Sequence, residues 1–289
     1  MLVDETSTAA DRPARRAAVL GSPIRHSLSP VLHGAAYQAL GLHGWRYDMI
    51  ECDEPGLAPL LDGMGPEWAG LSLTMPLKRV ALAVADEVSP LARAVGAANT
   101  LVFPPGGPAA GRRADNTDVA GLVAALREAG LGRNQRADIL GAGGPAQSAL
   151  AAVRELGHQA PVVLVRNLAR TAELRETAER LGMRPAISGR LFEEPLPEAD
   201  LVISTLPRGA ADPLRPARWK PGTTVLDVVY APWPTPFAGS ALAAGCQVVS
   251  GLTVLLHQAV AQVELMTGYP GPVEAMRTAL AAAVAARHR

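Results

Sequence analysis

The sequence predicts an α/β protein with two domains, on three observations. Its 289 residues exceed the roughly 100–200 residues of an ordinary single domain. Strand-like and helix-like segments alternate along almost the whole chain, as they do in parallel sheets built from βαβ units. A glycine-rich turn, "ILGAGGPA" at residues 139–146, joins one of these strands directly to a helix.

Composition restricts the partners that this protein can have. Lys and Arg together number 27, equal to the 27 Asp and Glu residues, so the chain has no net charge to attract it to nucleic acid or to an anionic membrane. We therefore expect a small-molecule ligand held by local groups, with no nucleic-acid and no membrane partner. The sequence is compatible with a monomer and with a homodimer.

Cysteine content and the start of the chain predict a cytoplasmic location. Only Cys52 and Cys246 are present, far apart and without metal-ligand spacing, so we expect neither a disulfide framework nor a metal site. The first residues, "MLVDETSTAADRPARR", lack the apolar stretch of a signal peptide. No apolar run reaches the roughly 18–20 residues that a membrane helix needs.

The first half of the chain contains strand-like segments separated by helices and turns. A helix over "SPVLHGAAYQALG" is predicted to begin with Ser29 as its N-cap and Pro30 as its first helical residue. Two more helices are predicted over "LKRVALAVAD" and "SPLARAVGA", and a turn over "PPGGPAAG" at residues 104–111. The predicted strands are "AAVLG", "WRYDMIE", "GLSLT" and "NTLVF".

The second half alternates more regularly. A helix from Asp118 precedes the strand "ADIL", which leads into the glycine-rich turn and the helix "PAQSALAAVRELG". The segments predicted after these are the strand "APVVLVR", the helix "RTAELRETAERLG", the strands "ADLVIST" and "TTVLDVVY", and the helices "TVLLHQAVAQVELMTG" and "VEAMRTALAAAVAARH".

The glycine-rich turn has the residues of a dinucleotide-binding site. Gly141 permits a tight turn, Gly143 lets the backbone approach a pyrophosphate, and Gly144 and Ala146 allow close packing of helix on strand. The helix N-terminus adds N–H groups and a positive dipole that favour an anion. Glycines also occur in such turns for steric reasons alone, but the position within a βαβ unit favours nucleotide binding. The candidate diphosphate-binding residues are Gly141, Ala142, Gly143, Gly144, Pro145 and Ala146.

The end of the next strand favours NADP over NAD. An NAD site usually has an acidic residue about 20 residues after the glycines, where it binds the ribose 2′-hydroxyl. This region reads "VLVRNLARTAEL", with Arg166 at the strand end and Arg170 one helical turn later. Two guanidinium groups can hold a 2′-phosphate by charge-assisted hydrogen bonds. The alternative is a pair of solvated surface arginines.

Two polar segments near the N-terminus are candidates for substrate binding. Ser27 and Ser29 lie two residues apart, so in an extended segment they face the same side and can bind a polyol, although they also suit a turn and a helix cap. Lys78 opens a predicted helix, where the helix dipole disfavours a cation. A residue that opposes a local preference is a candidate for function, although most single lysines are solvated.

The segment "ADNTDVAG" contains two aspartates with different predicted roles. Thr117 or Asp118 can cap a helix that begins at Val119, whereas Asp115 has no helix to cap and is a candidate functional carboxylate. The segment "GAANTL" places Asn99 at the start of a strand. Polar segments at several element boundaries are typical of a cleft between two α/β domains.

Seven motifs, in order along the chain, resemble those of shikimate dehydrogenases: "SPIRHSLSP", "SLTMPLK", "GAANTL", "ADNTDVAG", "GAGGPA", "DVVYAPWPTP" and "GLTVLLHQAVAQVE". The similarity runs from Val19 to about Met276 and is greatest to the actinobacterial branch. It implies NADPH-dependent reduction of 3-dehydroshikimate to shikimate, in aromatic amino-acid synthesis. It also implies a substrate domain of residues 1–117 and 251–289, a Rossmann-like NADP-binding domain of residues 118–250, and a cleft between them.

The resemblance assigns roles to individual residues. Lys78 and Asp115 become the catalytic pair at the reacting C3 oxygen, where an ammonium can stabilise developing negative charge and deliver a proton. Either residue can be the formal acid or base. The implied substrate-binding residues are Ser27 and Ser29 at the carboxylate, Ser72, Thr74 and Asn99 at ring hydroxyls, and Tyr230 and Gln258. The implied cofactor-binding residues, besides those of the glycine-rich turn, are Arg166, Asn167, Arg170, Thr205 and Gly251.

The chain departs from the usual pattern of the family at several positions. Ser72 stands where Asn is common, so one substrate hydroxyl loses a direct amide contact or uses water instead. Pro145 replaces the usual Ala and Asn167 the common Thr, and "STLPRGA" at residues 204–210 replaces the usual Ala-Thr-Pro-x-Gly-Met segment near the nicotinamide. These changes affect cofactor affinity and hydroxyl selectivity, and they leave the catalytic pair intact.

Three alternative functions are compatible with parts of the sequence. A quinate or amino-shikimate dehydrogenase has the same scaffold, but the presence of both Ser27 and Ser29 favours shikimate. A non-catalytic sensor that regulates transcription would lack Lys78 or Asp115 or carry a basic DNA-binding domain, whereas this chain has both residues and a balanced charge. An unrelated NADP-binding structural protein would not account for the N-terminal motifs.

Overall fold

The computed structural model describes residues 14–132, 136–193, 199–214 and 219–287, which include every predicted site residue. Most of the N-terminal segment examined for a signal peptide lies outside the described residues. The chain folds into two compact units. The first is formed by the described residues of Met1–Arg93, Ala97–Thr117 and Ala259–Arg289, and the second by those of Ala94–Gly96 and Asp118–Gln258.

Among the described residues, the strands are β1 (Arg16–Gly21), β2 (Arg46–Glu51), β3 (Trp68–Leu73), β4 (Glu87–Val88), β5 (Thr100–Val102), β6 (Arg113–Asp115), β7 (Ala137–Leu140), β8 (Val162–Leu164), β9 (Ala186–Ser188), β10 (Leu201–Ser204), β11 (Thr224–Asp227) and β12 (Gln247–Ser250). The helices are α1 (Ser29–Ala39), α2 (Glu54–Asp62), α3 (Val80–Ala83), α4 (Pro90–Val95), α5 (Thr117–Glu128), α6 (Gly144–Glu155), α7 (Ala172–Arg180), α8 (Pro236–Ala243), α9 (Gly251–Thr267) and α10 (Val273–Arg287). Within the described ranges, none of the helices is long and apolar enough to cross a membrane.

The first unit contains a mixed sheet with the strand order β2-β1-β3-β5-β6-β4. Strand β1 pairs in parallel with β2 and β3, whereas β5 is antiparallel to both β3 and β6. Leu71, Leu73 and Leu101 belong to an apolar core on one face of this sheet. Because side chains alternate along a strand, Ser72 and Thr100, which are opposite each other in the register, lie on the other face. These two side chains are polar and buried.

The second unit contains an all-parallel sheet with the order β12-β11-β10-β7-β8-β9. If its strands are numbered within the unit, this order is 3-2-1-4-5-6 read from β9, which is the order of dinucleotide-binding doubly wound folds. The order reverses between β7 and β10, and the glycine-rich turn follows β7 at this point. The predicted α/β fold class, with a Rossmann-like second unit, is confirmed.

The predicted domain boundary after residue 250 differs from the observed division. It coincides with the start of α9, whereas the division into units falls inside this helix, after Gln258. Gly121 on α5 explains why the first half of α9 belongs to the second unit: a Cβ at Gly121 would lie 2.7 Å from the carbonyl oxygen of Val254. The two helices approach so closely here that only glycine fits.

The prediction that Ser29 is the N-cap of α1 is wrong. The helix begins at Ser29, and Leu28, which precedes it, makes no side-chain cap. The Ser27 hydroxyl instead accepts a hydrogen bond from the N–H of Ser29 at 3.2 Å. The helix predicted over "LKRVALAVAD" is also too long, because only Val80–Ala83 is helical and the residues before it form a turn.

Asp138 on β7 is a buried carboxylate of the second unit. Its side chain is 2% exposed, and the Nε atom of Arg136 lies 3.7 Å from Oδ1, too far for a hydrogen bond. Among the described residues, neither carboxylate oxygen has a hydrogen-bond partner. Burial raises the pKa of Asp138 from 3.8 to about 6, and the charge of Arg136 only partly opposes this shift. The ionised form therefore lowers the stability of the folded state.

We expect Asp138→Asn to alter the pH dependence of unfolding. Between the unfolded pKa of 3.8 and the folded pKa of about 6, the folded protein binds more protons than the unfolded chain, so the free energy of unfolding decreases as the pH rises through this window. The size of this effect is about 2–3 kcal/mol at most. The variant lacks the ionisable group, so its Tm relative to the wild type should increase from about pH 4 to about pH 7. Thermal unfolding across this range tests the expectation, and a Tm difference independent of pH would contradict it.

Candidate active site

The segments that follow β1 and β3 meet at one edge of the first-unit sheet. Parallel neighbouring strands bring their carboxyl ends together, and here the N–H of Ser22 donates to the carbonyl oxygen of Met75 at 2.9 Å. A Cβ at Gly21 would lie 2.4 Å from Cγ2 of Thr74, so the close approach requires glycine at the end of β1. The predicted substrate residues after β1 and the segment of Thr74 and Lys78 are therefore adjacent in the fold.

Lys78 and Asp115 are held by two consecutive backbone amides. The N–H of Ala98 donates to the carbonyl oxygen of Lys78 at 2.7 Å, and the N–H of Asn99 donates to the carbonyl oxygen of Asp115 at 3.1 Å. The carbonyl oxygen of Asn99 accepts from the N–H of Leu73 at 2.7 Å. These bonds join the carboxyl ends of β3 and β6 to the start of β5, so the structure brings the predicted pair to the same edge of the sheet.

The Asp115 carboxylate is oriented by three donors. Its Oδ1 atom accepts from the Ser89 hydroxyl at 2.9 Å and from the N–H of Asn116 at 2.8 Å. Its Oδ2 atom lies 3.1 Å from Nη2 of Arg113. The Asp115 side chain is 15% exposed, whereas that of Arg113 is 48% exposed, so the carboxylate lies at the surface of the unit with its orientation fixed from within.

Ser89 is a residue that the sequence interpretation missed. Its hydroxyl accepts the N–H of Ala92 at 3.1 Å in the first turn of α4 while it donates to Asp115. A helix was predicted over "SPLARAVGA", and a serine directly before a helical proline indicates a cap. The additional contact with Asp115 joins β6 to the start of α4 and is visible only in the folded chain.

Asn99 has its amide oxygen turned into the protein. The Oδ1 atom accepts from the N–H of Thr117 at 2.7 Å and from the Thr100 hydroxyl at 2.9 Å. The Nδ2 atom donates to Thr117 Oγ1 at 2.9 Å. Asn99 is only 2% exposed. Its hydrogen bonds connect the first residue of α5 to the start of β5.

Ser72, predicted to bind a ring hydroxyl, has its hydroxyl bonded inside the first unit. It is 3% exposed, accepts from the Tyr47 phenol at 2.6 Å and donates to Oε1 of Gln262 at 2.8 Å. Gln262 was not predicted, although it lies one helical turn after Gln258 on α9. The Tyr47 ring stacks on the ring of His33 with centroids 3.9 Å apart.

Burial determines the protonation of the two stacked rings. It lowers the pKa of His33 to about 3, against a weaker opposing effect of a hydrogen bond with Gln262, so this imidazole is neutral at ordinary pH. It also raises the pKa of Tyr47, against the hydrogen bonds with Ser72 and Ser29. Tyr47 therefore remains a protonated phenol beside the buried Ser29.

The other predicted substrate residues, Tyr230 and Gln258, lie in the second unit. Gln258 is 8% exposed, and its Nε2 atom donates to the carbonyl oxygen of Leu255 at 3.0 Å. Tyr230 is half-buried in the loop that follows β11. The ends of this loop are joined by Asp227, whose Oδ1 accepts the N–H of Val229 at 3.1 Å and whose Oδ2 accepts the Thr235 hydroxyl at 2.7 Å.

Gly251, predicted to contact the cofactor, is the first residue of α9 and packs against Val228, at the start of the same loop. A Cβ there would lie 2.1 Å from the carbonyl oxygen of Val228, so α9 can begin at this position only with glycine. Burial is the main cause of a raised pKa at Asp227, which is 1% exposed. Neither Asp227 nor Thr235 was singled out in the sequence, and both define the loop that carries Tyr230.

The glycine-rich turn has the geometry of an anion site. Helix α6 begins at Gly144 directly after β7, and Gly141 has φ of +108°, a left-handed conformation that favours glycine. A Cβ at Gly144 would meet nothing within 4 Å, and one at Gly143 only Pro145, so the backbone here is open to a ligand. Thr205 supports the turn by donating to the carbonyl oxygen of Leu140 at 2.7 Å.

The predicted 2′-phosphate residues follow β8. Arg166, Asn167 and Arg170 are all exposed. Asn167 accepts the N–H of Ala169 at 2.9 Å and caps a short 3₁₀ helix, Leu168–Arg170, that positions Arg170. The guanidinium groups are thus presented to solvent on a capped turn, which suits a charged ligand.

Two features together are typical of nicotinamide-dependent dehydrogenases. One is a doubly wound unit with an open glycine turn, and the other is a unit that carries a lysine and an aspartate on neighbouring backbone segments. Family models agree with this class. The shikimate dehydrogenase substrate binding domain matches residues 19–101, and the shikimate 5'-dehydrogenase C-terminal domain matches residues 251–281.

Related proteins match over most of their length. A shikimate dehydrogenase (NADP(+)) of Caulobacter vibrioides is 39% identical over 264 residues, covering 88% of this chain and 90% of the relative. The crystal structure of Mycobacterium tuberculosis shikimate dehydrogenase is 44% identical with a TM-score of 0.82, covering 93% of this chain and 99% of that one. A Thermus thermophilus shikimate 5-dehydrogenase in complex with NADP(H) and shikimate is 31% identical with a TM-score of 0.79, covering 93% and 99%. The chain belongs to the shikimate dehydrogenase family.

We expect Ser89→Ala to lower turnover of shikimate by about tenfold while the KM for NADP stays unchanged. The variant removes one donor to the Asp115 carboxylate, and a hydrogen bond to a charged group is worth about 1.5–3 kcal/mol, where about 1.4 kcal/mol corresponds to tenfold. Steady-state rates at several substrate concentrations measure the effect. Ser89→Thr retains a hydroxyl and serves as the control. A fall in Tm without any fall in kcat would show that Ser89 acts only as the cap of α4.

Proposed function

We propose that Lys78 and Asp115 stabilise charge and transfer a proton in the reaction of this chain, the reversible NADPH-dependent reduction of 3-dehydroshikimate to shikimate. The observation that supports this role is the backbone arrangement at Ala98 and Asn99, which brings both residues to one edge of the sheet. Membership of the shikimate dehydrogenase family supports the reaction itself.

The chemistry requires a cation near the reacting oxygen. Hydride addition to the C3 carbonyl carbon converts the C=O double bond to a C–O single bond and leaves negative charge on oxygen. The Lys78 ammonium stabilises this charge and donates the proton that completes the hydroxyl. The oriented Asp115 carboxylate accepts hydrogen bonds from the ammonium and from the neighbouring substrate hydroxyl, and thereby fixes both relative to each other.

NADP fits the residues of the second unit. The open backbone at Gly143 and Gly144, followed by the N-terminus of α6, suits a diphosphate, and the exposed Arg166 and Arg170 suit a 2′-phosphate. The bound cofactor supplies the hydride. Asn167, Thr205 and Gly251 shape the surrounding backbone, and we propose that Ala142, Pro145 and Ala146 complete the turn.

The substrate residues of the first unit suit a polyhydroxylated carboxylate. Ser27 is half-buried and accepts the N–H of Ser29 at 3.2 Å, so its own hydroxyl proton can be donated to a carboxylate. Thr74 and Asn99 lie at the adjacent edge of the sheet for ring hydroxyls, and Tyr230 and Gln258 complete the proposed set. Shikimate is favoured over quinate because both small serines are present.

We also propose that the chain is a cytoplasmic enzyme of the actinobacterial branch, active as a monomer or a homodimer. The 44% identity to the Mycobacterium tuberculosis structure supports the branch. The buried free thiols of Cys52 and Cys246 are suited to a reducing compartment.

We expect Lys78→Ala to lower kcat by about 10²–10⁴-fold, the contribution of a positioned proton donor, with a much smaller change in the KM for shikimate. The reason is that the ammonium is needed mainly where charge develops in the transition state. Lys78→Arg retains the charge with a different shape and is the matched control. A variant whose KM rises while kcat is unchanged would place Lys78 in substrate binding alone.

Initial rates of the purified protein with shikimate and with quinate, each with NADP and with NAD, test the specificity. We expect rapid turnover only with shikimate and NADP, because two serines meet the carboxylate and two arginines meet the 2′-phosphate. Preference for quinate or for NAD would contradict the roles of these residues and leave the catalytic pair in place. Absence of turnover with every combination would favour a non-catalytic sensor.

A further inference from the structure

A chain of buried hydrogen bonds crosses the polar face of the first-unit sheet. Gln262 lies at its centre and is 1% exposed. We call this group the Gln262 cluster, and its side chains come from α1, β2, β3, β5, the residue before β5, and α9. Its members are His33, Tyr47, Ser72, Asn99, Thr100 and Gln262.

The backbone determines the orientation of the Gln262 amide. Its amide group lies 3.2 Å from the carbonyl oxygen of Asn99, and a carbonyl oxygen can only accept. The nitrogen Nε2 must therefore face Asn99, where it also donates to Thr100 Oγ1 at 3.1 Å. Consequently Oε1 faces the opposite side, towards Ser72 at 2.8 Å and Nε2 of His33 at 3.4 Å.

This orientation fixes the direction of the bonds on the Ser72 side of the cluster. Oε1 of Gln262 only accepts, so Ser72 donates its single hydroxyl proton to it. Ser72 then has no proton for Tyr47, and the 2.6 Å bond between them must run from the phenol to Ser72. On the other side, Thr100 accepts from Gln262 and donates its own proton to Oδ1 of Asn99 at 2.9 Å.

Ser72 and Asn99, the two residues of the cluster proposed to bind substrate hydroxyls, offer a ligand different groups. Ser72 has its proton committed to Gln262, so it can offer a ligand only a lone pair. Asn99 receives Thr100 and the N–H of Thr117 on Oδ1, so its amide nitrogen is its donor side. This nitrogen donates one proton to Thr117 Oγ1 at 2.9 Å, and it is the side of Asn99 that would meet a substrate hydroxyl oxygen in the proposed site.

We infer that Gln262 is a positioning residue that sets the hydrogen-bond direction of Ser72 and holds the backbone carbonyl of Asn99, and so determines how the first unit recognises substrate hydroxyls. The inference rests on the proposed substrate-binding role of Asn99. Gln262 acts through Thr100 and the Asn99 backbone and needs no contact with the substrate. Reversal of its amide would reverse the bonds of Ser72 and Tyr47, whereas the side chain of Asn99 keeps its orientation because the N–H of Thr117 can only donate to Oδ1.

Two substitutions separate hydrogen-bond direction from shape. Gln262→Met keeps the length of the side chain and removes both polar atoms. Gln262→Glu keeps the shape, but a buried carboxyl favours its protonated form and then has one proton, where the amide nitrogen serves two acceptors, the Asn99 carbonyl oxygen and Thr100 Oγ1. Thr267→Val on the same helix is the control, because the Thr267 hydroxyl donates to the carbonyl oxygen of Val263 at 2.7 Å and accepts the N–H of Tyr269 at 3.1 Å, both close to it in sequence.

Steady-state kinetics with shikimate and NADP, together with Tm, measure the effect. We expect Gln262→Glu to raise the KM for shikimate by about tenfold or more, and Gln262→Met by less, with the KM for NADP within about twofold of wild type. The control should change neither KM. An unchanged KM for shikimate in both variants, or parallel rises in both KM values with a lower Tm, would overturn the inference.

If the Gln262 variants do not fold, Ser72→Ala tests the same inference at the neighbouring residue. It removes the hydroxyl whose direction Gln262 sets, leaves Gln262 in place, and should raise only the KM for shikimate, by about threefold; no change would overturn the inference. Failure of the wild type to oxidise shikimate would instead contradict the proposed function. Turnover by the wild type with unaffected variants would contradict the role of Gln262 alone.

Discussion

The backbone amides of Ala98 and Asn99 hold the proposed active site of the first unit together. One bonds the carbonyl of Lys78 and the next bonds the carbonyl of Asp115, while the Asn99 carbonyl accepts Leu73 and Gln262. Side chains on separate strands and turns acquire a common position because two consecutive peptide groups have fixed spacing. The proposed catalytic pair is thus positioned by main chain, which side-chain substitution nearby cannot easily displace.

The two faces of the same sheet have opposite physical character. One face packs Leu71, Leu73 and Leu101 into an apolar core, and the other carries the Gln262 cluster. Buried polar groups are costly unless their hydrogen bonds are made, and a network with a fixed direction has one low-energy arrangement. Residual cost is visible at His33, whose Nδ1 atom has no partner among the described residues. The rigidity gained suits the proposed recognition of substrate hydroxyls.

The second unit achieves close backbone approach by removing side chains. Gly121, Gly141 and Gly251 each lie where a Cβ would collide with a neighbouring atom, at α9, at Thr205 and at Val228 respectively. Gly143 and Gly144 differ, because a Cβ there would point into open space. Glycine therefore serves packing at the first three positions, whereas at the last two it leaves the backbone accessible, as a diphosphate site requires.

The features that depend on local periodicity and on residue type could be predicted from the sequence alone. The strand–helix alternation, the glycine turn before α6 and the helix α9 were predicted because each produces a pattern in residues that are adjacent in sequence. The short strands β4, β6, β9 and β12 and the helices α2 and α8 were not, because the strands owe their existence to partners distant in sequence and the helices carry a weak pattern. Ser29 was expected to cap α1, but it is the first residue of the helix and its own N–H donates to the Ser27 hydroxyl.

The candidate site likewise contains residues that the sequence indicated and residues that only the folded structure revealed. Motif resemblance selected Lys78, Asp115 and Asn99, but only tertiary structure brought Ser89, Tyr47 and Gln262 into contact with site residues. Those contacts join segments far apart in the chain, so no local pattern contains them. The direction of the hydrogen bonds of Tyr47 and Gln262 follows from the Asn99 carbonyl oxygen, which can only accept. Gln262 reaches this oxygen only because α9 packs against the sheet.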